Sequence, residues 1–257
     1  MNPVILYEDD STLAVNKPAG LVVHSDGLNR AKSAVGRTSQ NEVLGKTEEK
    51  TLVDWLVAKY PEVKNVGEPG RNSEGEEVLR SGIVHRLDRE TSGVMLVAKT
   101  QNAFENLKKQ FQNHKIQKIY HAFVFGEVKN DSGIIDRPIG RSNKDFRMWS
   151  AQRGARGEMR VAVTEYKVLN RHNGYSFLEI SPKTGRTHQI RVHMKAINYP
   201  LVGDSLYAPK KENLFGFKRL ALHSYKITFK DTSGKSHTVS APHPEDFKKA
   251  INLLHKT

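Results

Sequence analysis

The chain has 257 residues and no cysteine, and its 41 Lys and Arg against 28 Asp and Glu give a formal net charge of +13. The absence of thiols excludes disulfides, thiolate nucleophiles and cysteine-bound metal centres, and we expect a cytoplasmic protein. The cationic excess predicts a polyanionic partner, RNA or DNA. The alternative is that the chain is basic only because the proteins of its organism are basic in general.

The first third of the chain alternates short apolar runs with turns. The expected elements are strands over 4–7, 12–16 and 21–24 and a helix over 51–60 that Pro61 ends. Two polar stretches rich in Ser, Gly, Asn and charged residues, 25–50 and 62–80, predict flexible inserts.

Apolar and polar residues also alternate regularly in the rest of the chain. The expected elements are strands over 93–99, 118–127, 160–170 and 175–181, helices over 187–197 and 245–255, a hairpin over 221–241, and a helix that Thr100 or Asn102 caps. Strands outnumber helices and pair through tight turns, which predicts an α+β fold with a mixed, mainly antiparallel sheet and flanking helices, in one domain over 1–257. The longest apolar run is far below the ~20 residues of a membrane span, so no membrane partner is expected.

The densest motif is His-Arg-Leu-Asp-Arg-Glu-Thr-Ser-Gly at 85–93. Asp88 stands between Arg86 and Arg89, and Gly93 provides a hinge before an apolar strand. A carboxylate on a tight turn is rigidly aimed, and flanking cations favour its charged form, as a nucleophile requires. The alternative is that Asp88 only braces the turn through its own backbone.

A second motif, at 182–193, delivers Arg186 to the start of a predicted helix with Thr187 as its cap. A helix N-terminus that bears an arginine is a good anion receptor, and the anion is either a phosphate or the Asp88 carboxylate. The alternative is a polar helix start with solvated arginines. His188 and His193 are five residues apart, so they do not share a helix face, and we expect no metal.

Three further features have two interpretations each. Tyr120 opens a strand, and it is either a surface for base stacking or a half-buried strand residue. Lys17 contacts phosphate or belongs to a simple turn. The basic, aromatic stretch over 141–149, which contains Arg147 and Trp149, is either an RNA-contacting loop or an ordinary hairpin.

Together these motifs resemble the RluA-type pseudouridine synthase family. The segments that carry the resemblance are 16–24, 82–93, 118–120, 184–193, 222–223 and 241–247. It runs from about residue 4 to residue 250, and it implies a catalytic cleft across a two-lobed sheet and no cofactor. Since the first strand is expected by Val4, it also implies a catalytic domain without the accessory RNA-binding domain of many members. A monomer is our default expectation.

The resemblance assigns roles to single residues. Asp88 is the catalytic carboxylate, Tyr120 stacks on the flipped base, and Arg186 pairs with Asp88. Arg86 fills the gap that the flipped base leaves or holds the flipped nucleotide, while Arg191 meets backbone phosphates. The expected RNA-binding side chains are Arg86, Arg89, Arg191, Lys17 and Arg147.

The resemblance implies isomerisation of uridine to pseudouridine in ribosomal or transfer RNA. Three routes stay open: Asp88 attacks the anomeric carbon, adds to the base, or removes a sugar proton. One alternative function is a non-catalytic RNA-binding or ribosome-assembly factor with the same fold. Another is a hydrolase that uses two carboxylates, for which Glu90 is the obvious partner of Asp88.

Overall fold

Strands dominate the architecture. The computed structural model describes residues 2–24, 50–71, 77–152, 155–209 and 211–254. Its strands are β1 (Val4–Glu8), β2 (Thr12–Lys17), β3 (Pro69–Arg71), β4 (Glu77–Leu79), β5 (Ser92–Ala98), β6 (Gln117–Phe125), β7 (Ser132–Asp136), β8 (Ile139–Arg141), β9 (Trp149–Ser150), β10 (Arg156–Arg160), β11 (Val163–His172), β12 (Tyr175–Pro182), β13 (Leu222–Lys230) and β14 (Ser236–Ser240). Its α-helices are α1 (Leu52–Lys59), α2 (Gln101–Gln112), α3 (Gln189–Ala196) and α4 (Glu245–Leu254).

One large mixed sheet holds most of these strands. Its order is β1-β2-β5-β13-β6-β12-β11-β7, with β14 paired to the end of β13. β5 and β13 run parallel, and the other neighbouring strands of this sheet are antiparallel. A smaller sheet, β10-β8-β9, lies apart from it. The predicted α+β class with a mainly antiparallel sheet is confirmed.

The parallel contact between β5 and β13 depends on a glycine. Ser92 pairs with His223 and Gly93 with Ser224. Gly93 has φ +114°, and a Cβ added there would lie 2.2 Å from the Ser224 carbonyl oxygen. Gly93 is therefore the point of closest approach between two central strands, and the prediction of a hinge before the strand was wrong.

Apolar side chains cover both faces of the central strands. β5 is buried along its whole length, and alternate residues point to opposite faces. Met95 packs in the cluster that contains Leu52 of α1, while Leu96 packs in the cluster that contains Phe104 of α2. The two-sided burial explains why the sequence of β5 is an unbroken apolar run.

The predicted strand over 21–24 was wrong. These residues form no strand, and the carbonyl oxygens of Val22 and Val23 accept the N–H groups of Leu52 and Val53 at 2.8 and 3.1 Å. The first N–H groups of a helix lack partners within the helix, and this segment supplies two for α1. The segment therefore caps a helix instead of extending the sheet.

The other predicted elements are present within one to three residues of their expected ends. Within the second predicted insert, Pro61–Asn65 forms a 3₁₀-helix and β3 pairs with β4. The first predicted insert, 25–50, lies outside the described residues except at its last position. Among the helices of the described segments, none has the length and apolar character needed to cross a bilayer.

Candidate active site

Asp88 lies on a turn that leads directly into β5, next to the parallel contact with β13. The Thr91 N–H donates to the Asp88 carbonyl oxygen at 3.0 Å and closes the turn. Leu87, the residue before it, is buried in the core. The Asp88 side chain itself is 27% exposed, so it faces a cleft open to solvent.

Lys17 holds this turn from beneath. Its Nζ donates to the carbonyl oxygens of Pro18, Leu21 and Arg89 at 2.9, 2.8 and 3.0 Å, so all three ammonium protons have acceptors. The side chain is 0% exposed, and burial lowers the pKa of Lys17 to about 7. The prediction that Lys17 binds RNA was wrong, because no phosphate can reach a fully buried amine.

Two other side chains fix the segment on either side of Asp88. His85 Nε2 accepts the Leu96 N–H at 2.9 Å, and burial lowers the pKa of His85 to about 3, so it is a neutral structural acceptor. Arg219 Nη1 donates to the Glu90 carbonyl oxygen at 3.1 Å, while its other nitrogens bind Asp246 of α4. The turn that carries Asp88 is thus tied to three separate parts of the fold.

Arg191, in the first turn of α3, makes the ion pair with Asp88. Its Nη1 donates to Asp88 Oδ2 at 3.0 Å, while Nε and Nη2 donate to the two oxygens of Asp204 at 2.8 and 2.9 Å. Burial disfavours the charged guanidinium, but the hydrogen bonds and charges of Asp204 and Asp88 outweigh it, so the pKa of Arg191 is raised. The Arg191 guanidinium is planar, and its two hydrogen bonds to Asp204 fix its orientation. Its remaining nitrogen is therefore held in position to bind Asp88.

Arg186, the predicted partner of Asp88, points elsewhere, and that prediction was wrong. Its Nε donates to the Val161 carbonyl oxygen at 2.9 Å. Arg186 lies before α3, whose N-cap is His188 and not the expected Thr187, and its guanidinium binds the segment before β11 instead of Asp88. Arg191, predicted to contact phosphate, is buried against Asp88 instead.

His188 and Tyr207 complete the surroundings of the ion pair. His188 Nε2 lies 4.0 Å from Asp88 Oδ2, and its Nδ1 lies 3.0 Å from the Tyr207 hydroxyl. The Tyr207 ring packs on the Arg191 guanidinium at 4.9 Å. Burial lowers the pKa of His188 and raises that of Tyr207 to about 12, so both are neutral near pH 7. His188 has φ +54°, a left-handed conformation that is rare outside glycine and recurs at functional sites.

Tyr120 lies on β6, opposite Ser224 of β13. It is only 9% exposed, and burial raises its pKa to about 12, with the nearby Asp88 charge acting in the same direction. The phenol is therefore protonated at neutral pH. The charge of Asp88 acts on the Tyr120 phenol, so the two residues lie near each other.

The remaining predicted RNA-binding residues are exposed. Arg86 and Arg89 flank Asp88 at the protein surface. Arg147 lies between β8 and β9, where it makes a two-pronged ion pair with Asp145. Arg86 and Arg89 therefore place positive charge at the surface beside the carboxylate, whereas the Arg147 guanidinium is paired with Asp145.

Sequence reasoning missed Asp204 and Tyr207. Asp204 Oδ1 accepts the N–H groups of Leu206 and Tyr207 at 3.0 and 2.9 Å, which is the pattern of an aspartate at a turn. The Gly203-Asp204 pair in the sequence signals such a turn, but no spacing links it to Asp88. The described residues contain no cluster of three or more His, Cys, Asp or Glu side chains that could hold a metal ion.

Comparisons with known proteins agree with this geometry. The family model described as RNA pseudouridylate synthase matches residues 11–196. The chain is 37% identical to an uncharacterized RNA pseudouridine synthase, YlyB, of Bacillus subtilis, over 98% of this chain and 73% of that protein. It is 38% identical to ribosomal large subunit pseudouridine synthase D of Neisseria meningitidis, over 97% of this chain and 60% of that protein.

A comparison of three-dimensional structures agrees with the sequence comparisons. The human protein RNA pseudouridylate synthase domain containing 4 superposes with a TM-score of 0.70 at 22% identity, covering 97% of this chain and 92% of that one. The α+β sheet with a carboxylate turn at its centre is that of a pseudouridine synthase. The chain belongs to the RluA-type RNA pseudouridine synthase family, and it is an isomerase of that class.

Proposed function

We propose that Asp88 is the catalytic carboxylate and that the substrate is a uridine in ribosomal or transfer RNA. The observation that carries this proposal is the contact between Asp88 Oδ2 and Arg191, whose guanidinium is itself locked by Asp204. The contacts of the carboxylate with described side chains fall on Oδ2. Oδ1 is therefore the oxygen that faces the substrate.

The reaction needs a positioned carboxylate and no redox chemistry. The bond from C1′ to N1 of uracil breaks, the base rotates, and a bond from C1′ to C5 forms; C5 loses a proton and N1 gains one. Oδ1 of Asp88 attacks C1′, adds to the base, or removes a sugar proton, and all three routes use the same charged oxygen. Arg191 acts by holding that carboxylate in place.

The uridine must leave its stack to reach Asp88. Tyr120, with its neutral phenol beside Asp88, is suited to stack on the flipped uracil. Exposed Arg86 is next to the carboxylate and suits the predicted role of filling the gap or holding the nucleotide. These assignments give a role to the buried aromatic residue near the carboxylate and to the exposed arginine two residues before it.

The surface and the relatives support an RNA partner. Arg89 is exposed next to Asp88, Arg147 is exposed between β8 and β9, and the chain has a net charge of +13. Two relatives from different bacteria are named ribosomal large subunit pseudouridine synthase D, which favours ribosomal RNA. We also propose that the protein is a cytoplasmic monomer.

Replacing Asp88 tests the catalytic assignment. Asp88→Asn keeps the size of the side chain and a hydrogen-bond acceptor for Arg191, so we expect RNA binding within about twofold of wild type and no pseudouridine formation. Glu90→Gln is the matched control, because it removes the neighbouring carboxylate, and we expect it to retain activity. Pseudouridine in RNA is measured after incubation with each protein.

The possible outcomes separate the candidate functions. Full activity of Asp88→Asn contradicts the catalytic role. If the wild-type protein releases free uracil from RNA and both variants lose this release, the protein is a hydrolase that uses two carboxylates. Complete rescue of a deletion strain by Asp88→Asn points to an assembly factor. Mapping pseudouridine in total RNA from cells with and without the gene then identifies the modified uridine.

A further inference from the structure

A cavity of about 250 Å³ lies beside the candidate active site, between α3 and the small sheet that contains β8 and β9. Tyr207 belongs to both places. Its ring lines the cavity and packs on the Arg191 guanidinium at 4.9 Å, and its hydroxyl accepts the Trp149 N–H at 2.9 Å. Because Arg191 also contacts Asp88, the cavity is separated from the carboxylate by two side chains.

The lining suits a flat aromatic ligand with polar edges. Val192 and Met148 provide apolar surface, and Ser142 and Gln152 provide hydrogen-bonding groups. Trp149 adds an indole that carries the Arg141 guanidinium over its ring at 4.3 Å. Cations and aromatic rings together are the usual surface on which unpaired bases stack.

The charge of the lining selects an anionic ligand. Lys144 and Lys195 both line the cavity, and among its lining residues that the structure describes there is no carboxylate. The volume is below the ~300–1,000 Å³ of pockets that hold drug-sized molecules, so the cavity suits a single base and excludes a base pair. A base attached to a phosphate backbone satisfies the apolar walls, the polar edges and the lysines together.

We propose that this cavity binds one unpaired nucleobase of the substrate RNA, close in sequence to the uridine that reaches Asp88. The proposal rests on the proposed function, because it requires that uridine to enter the neighbouring site. The shared wall at Tyr207 places both bases within reach of one RNA strand. The cavity is thus a candidate site for substrate selection.

Trp149 gives a direct test of base binding. The chain has two tryptophans, so Trp55→Phe leaves Trp149 as the only indole. This protein is titrated with single-stranded RNA octamers of uridine or of adenosine, and with an octamer of the same ribose-phosphate backbone without bases. We expect at least one base-bearing octamer to quench the Trp149 fluorescence and the abasic octamer to leave it unchanged. Equal signals from all three octamers overturn the proposal.

A variant that fills the cavity provides the control. Ala151→Leu adds bulk to the lining and is expected to abolish the quenching. Ala58→Leu makes the same change on an exposed position of α1 and is expected to preserve it. Quenching that survives Ala151→Leu in a folded protein contradicts the proposal. If Ala151→Leu does not fold, the comparison with the abasic octamer decides.

Kinetics separate this inference from the proposed function. Trp149→Ala keeps the backbone N–H that binds Tyr207, so we expect KM for the mapped RNA to rise about tenfold, the effect of one lost base–aromatic stack, with kcat nearly unchanged. If the Trp55→Phe protein forms pseudouridine but shows no base-dependent quenching, the cavity proposal alone is refuted. If it shows the quenching but forms no pseudouridine, the proposed function alone is refuted.

Discussion

Arg191 is the residue on which the geometry of the candidate active site depends. Its guanidinium lies between Asp88, which is partly exposed, and Asp204, whose side chain is 0% exposed. A buried ion pair costs much desolvation energy and is stable only when its hydrogen bonds are complete. Here Asp204 also accepts two backbone N–H groups, so its oxygens are saturated. The arrangement favours a fixed position of Arg191 over a mobile one.

Arg191→Lys tests this role without removing the charge. A lysine cannot bind Asp204 through a fork and reach Asp88 at the same time, so the Asp88 carboxylate loses its fixed position. We expect kcat for pseudouridine formation to fall about 100-fold, with RNA affinity nearly unchanged. Single-turnover kinetics and a filter-binding assay measure the two quantities.

Arg186→Ala is the matched control for Arg191→Lys. Its guanidinium binds the Val161 carbonyl oxygen and does not touch Asp88, so we expect a change in kcat of less than about fivefold. If Arg186→Ala lowers kcat as much as Arg191→Lys does, the assignment of the ion pair to Arg191 is incorrect in solution.

At the scale of elements, the parallel contact of β5 with β13 positions the turn that carries Asp88. The turn at Asp88 ends where β5 begins, and β5 meets β13 at Ser92 and Gly93. Ser224 of β13 lies across from both Gly93 and Tyr120. The spacing of these strands therefore sets the separation of the carboxylate from the aromatic ring.

Gly93→Ala tests that close approach. The new methyl group would meet the Ser224 carbonyl oxygen at 2.2 Å in a backbone with φ +114°, so the strands must separate. We expect a loss of unfolding free energy of about 3 kcal/mol or more, measured by urea denaturation.

Gly234→Ala is the comparison for the backbone effect alone. Gly234 has φ +88°, and an added Cβ meets nothing within 4 Å. We expect this variant to lose about 1 kcal/mol, the cost of a left-handed conformation for a residue other than glycine. Equal losses of unfolding free energy in the two variants would show that the contact with β13 adds nothing to the cost of a side chain at residue 93.

At the scale of the whole molecule, buried histidines make stability dependent on pH. Burial lowers the pKa of His85 and of His121 to about 3, and that of His223 to about 4. In the unfolded chain a histidine has a pKa near ~6.5, so the unfolded state takes up protons first on acidification. Stability is therefore complete above about pH 6.5 and is lost as the pH falls toward 4.

We expect each of these histidines to contribute up to about 1.4 kcal/mol per pH unit to that slope. His223→Gln is the variant to compare, because glutamine offers a donor and an acceptor for Ala241 and Ser92, the two groups that His223 contacts. Urea denaturation between pH 7 and 4 should give a shallower slope for His223→Gln than for wild type. Equal slopes for the two proteins would show that the protonation of His223 does not change on unfolding in this pH range.

Local sequence patterns were sufficient for the family and for most elements, but not for the segment 21–24, which was predicted as a strand and caps α1 instead. The predicted helix over 51–60 is α1, and its Thr51 cap bonds to Asp54 three residues on. Thr100, one of the two predicted caps, is the N-cap of α2. Such signals lie within one turn of chain, so they can be recognised without knowing the fold. The same holds for the motif around Asp88, because its residues are contiguous.

Long-range contacts decided the rest of the site. Asp88 and Arg191 are 103 residues apart in sequence, and Arg186 was an equally good candidate from its charge alone. Lys17 was predicted to bind RNA, whereas here three carbonyl oxygens enclose its ammonium group. Nothing in the sequence around Asp204 indicated that its partner is Arg191.

The sequence by itself determined most of the secondary structure, the cationic character and the family of this protein, because periodicity, charge and contiguous motifs are properties of the chain. The tertiary structure alone decided which arginine holds Asp88, that Lys17 is buried and that Tyr207 joins the active site to a cavity. Those features depend on where α3 and β5 meet across the sheet, and that position results from the packing of both elements against the common core.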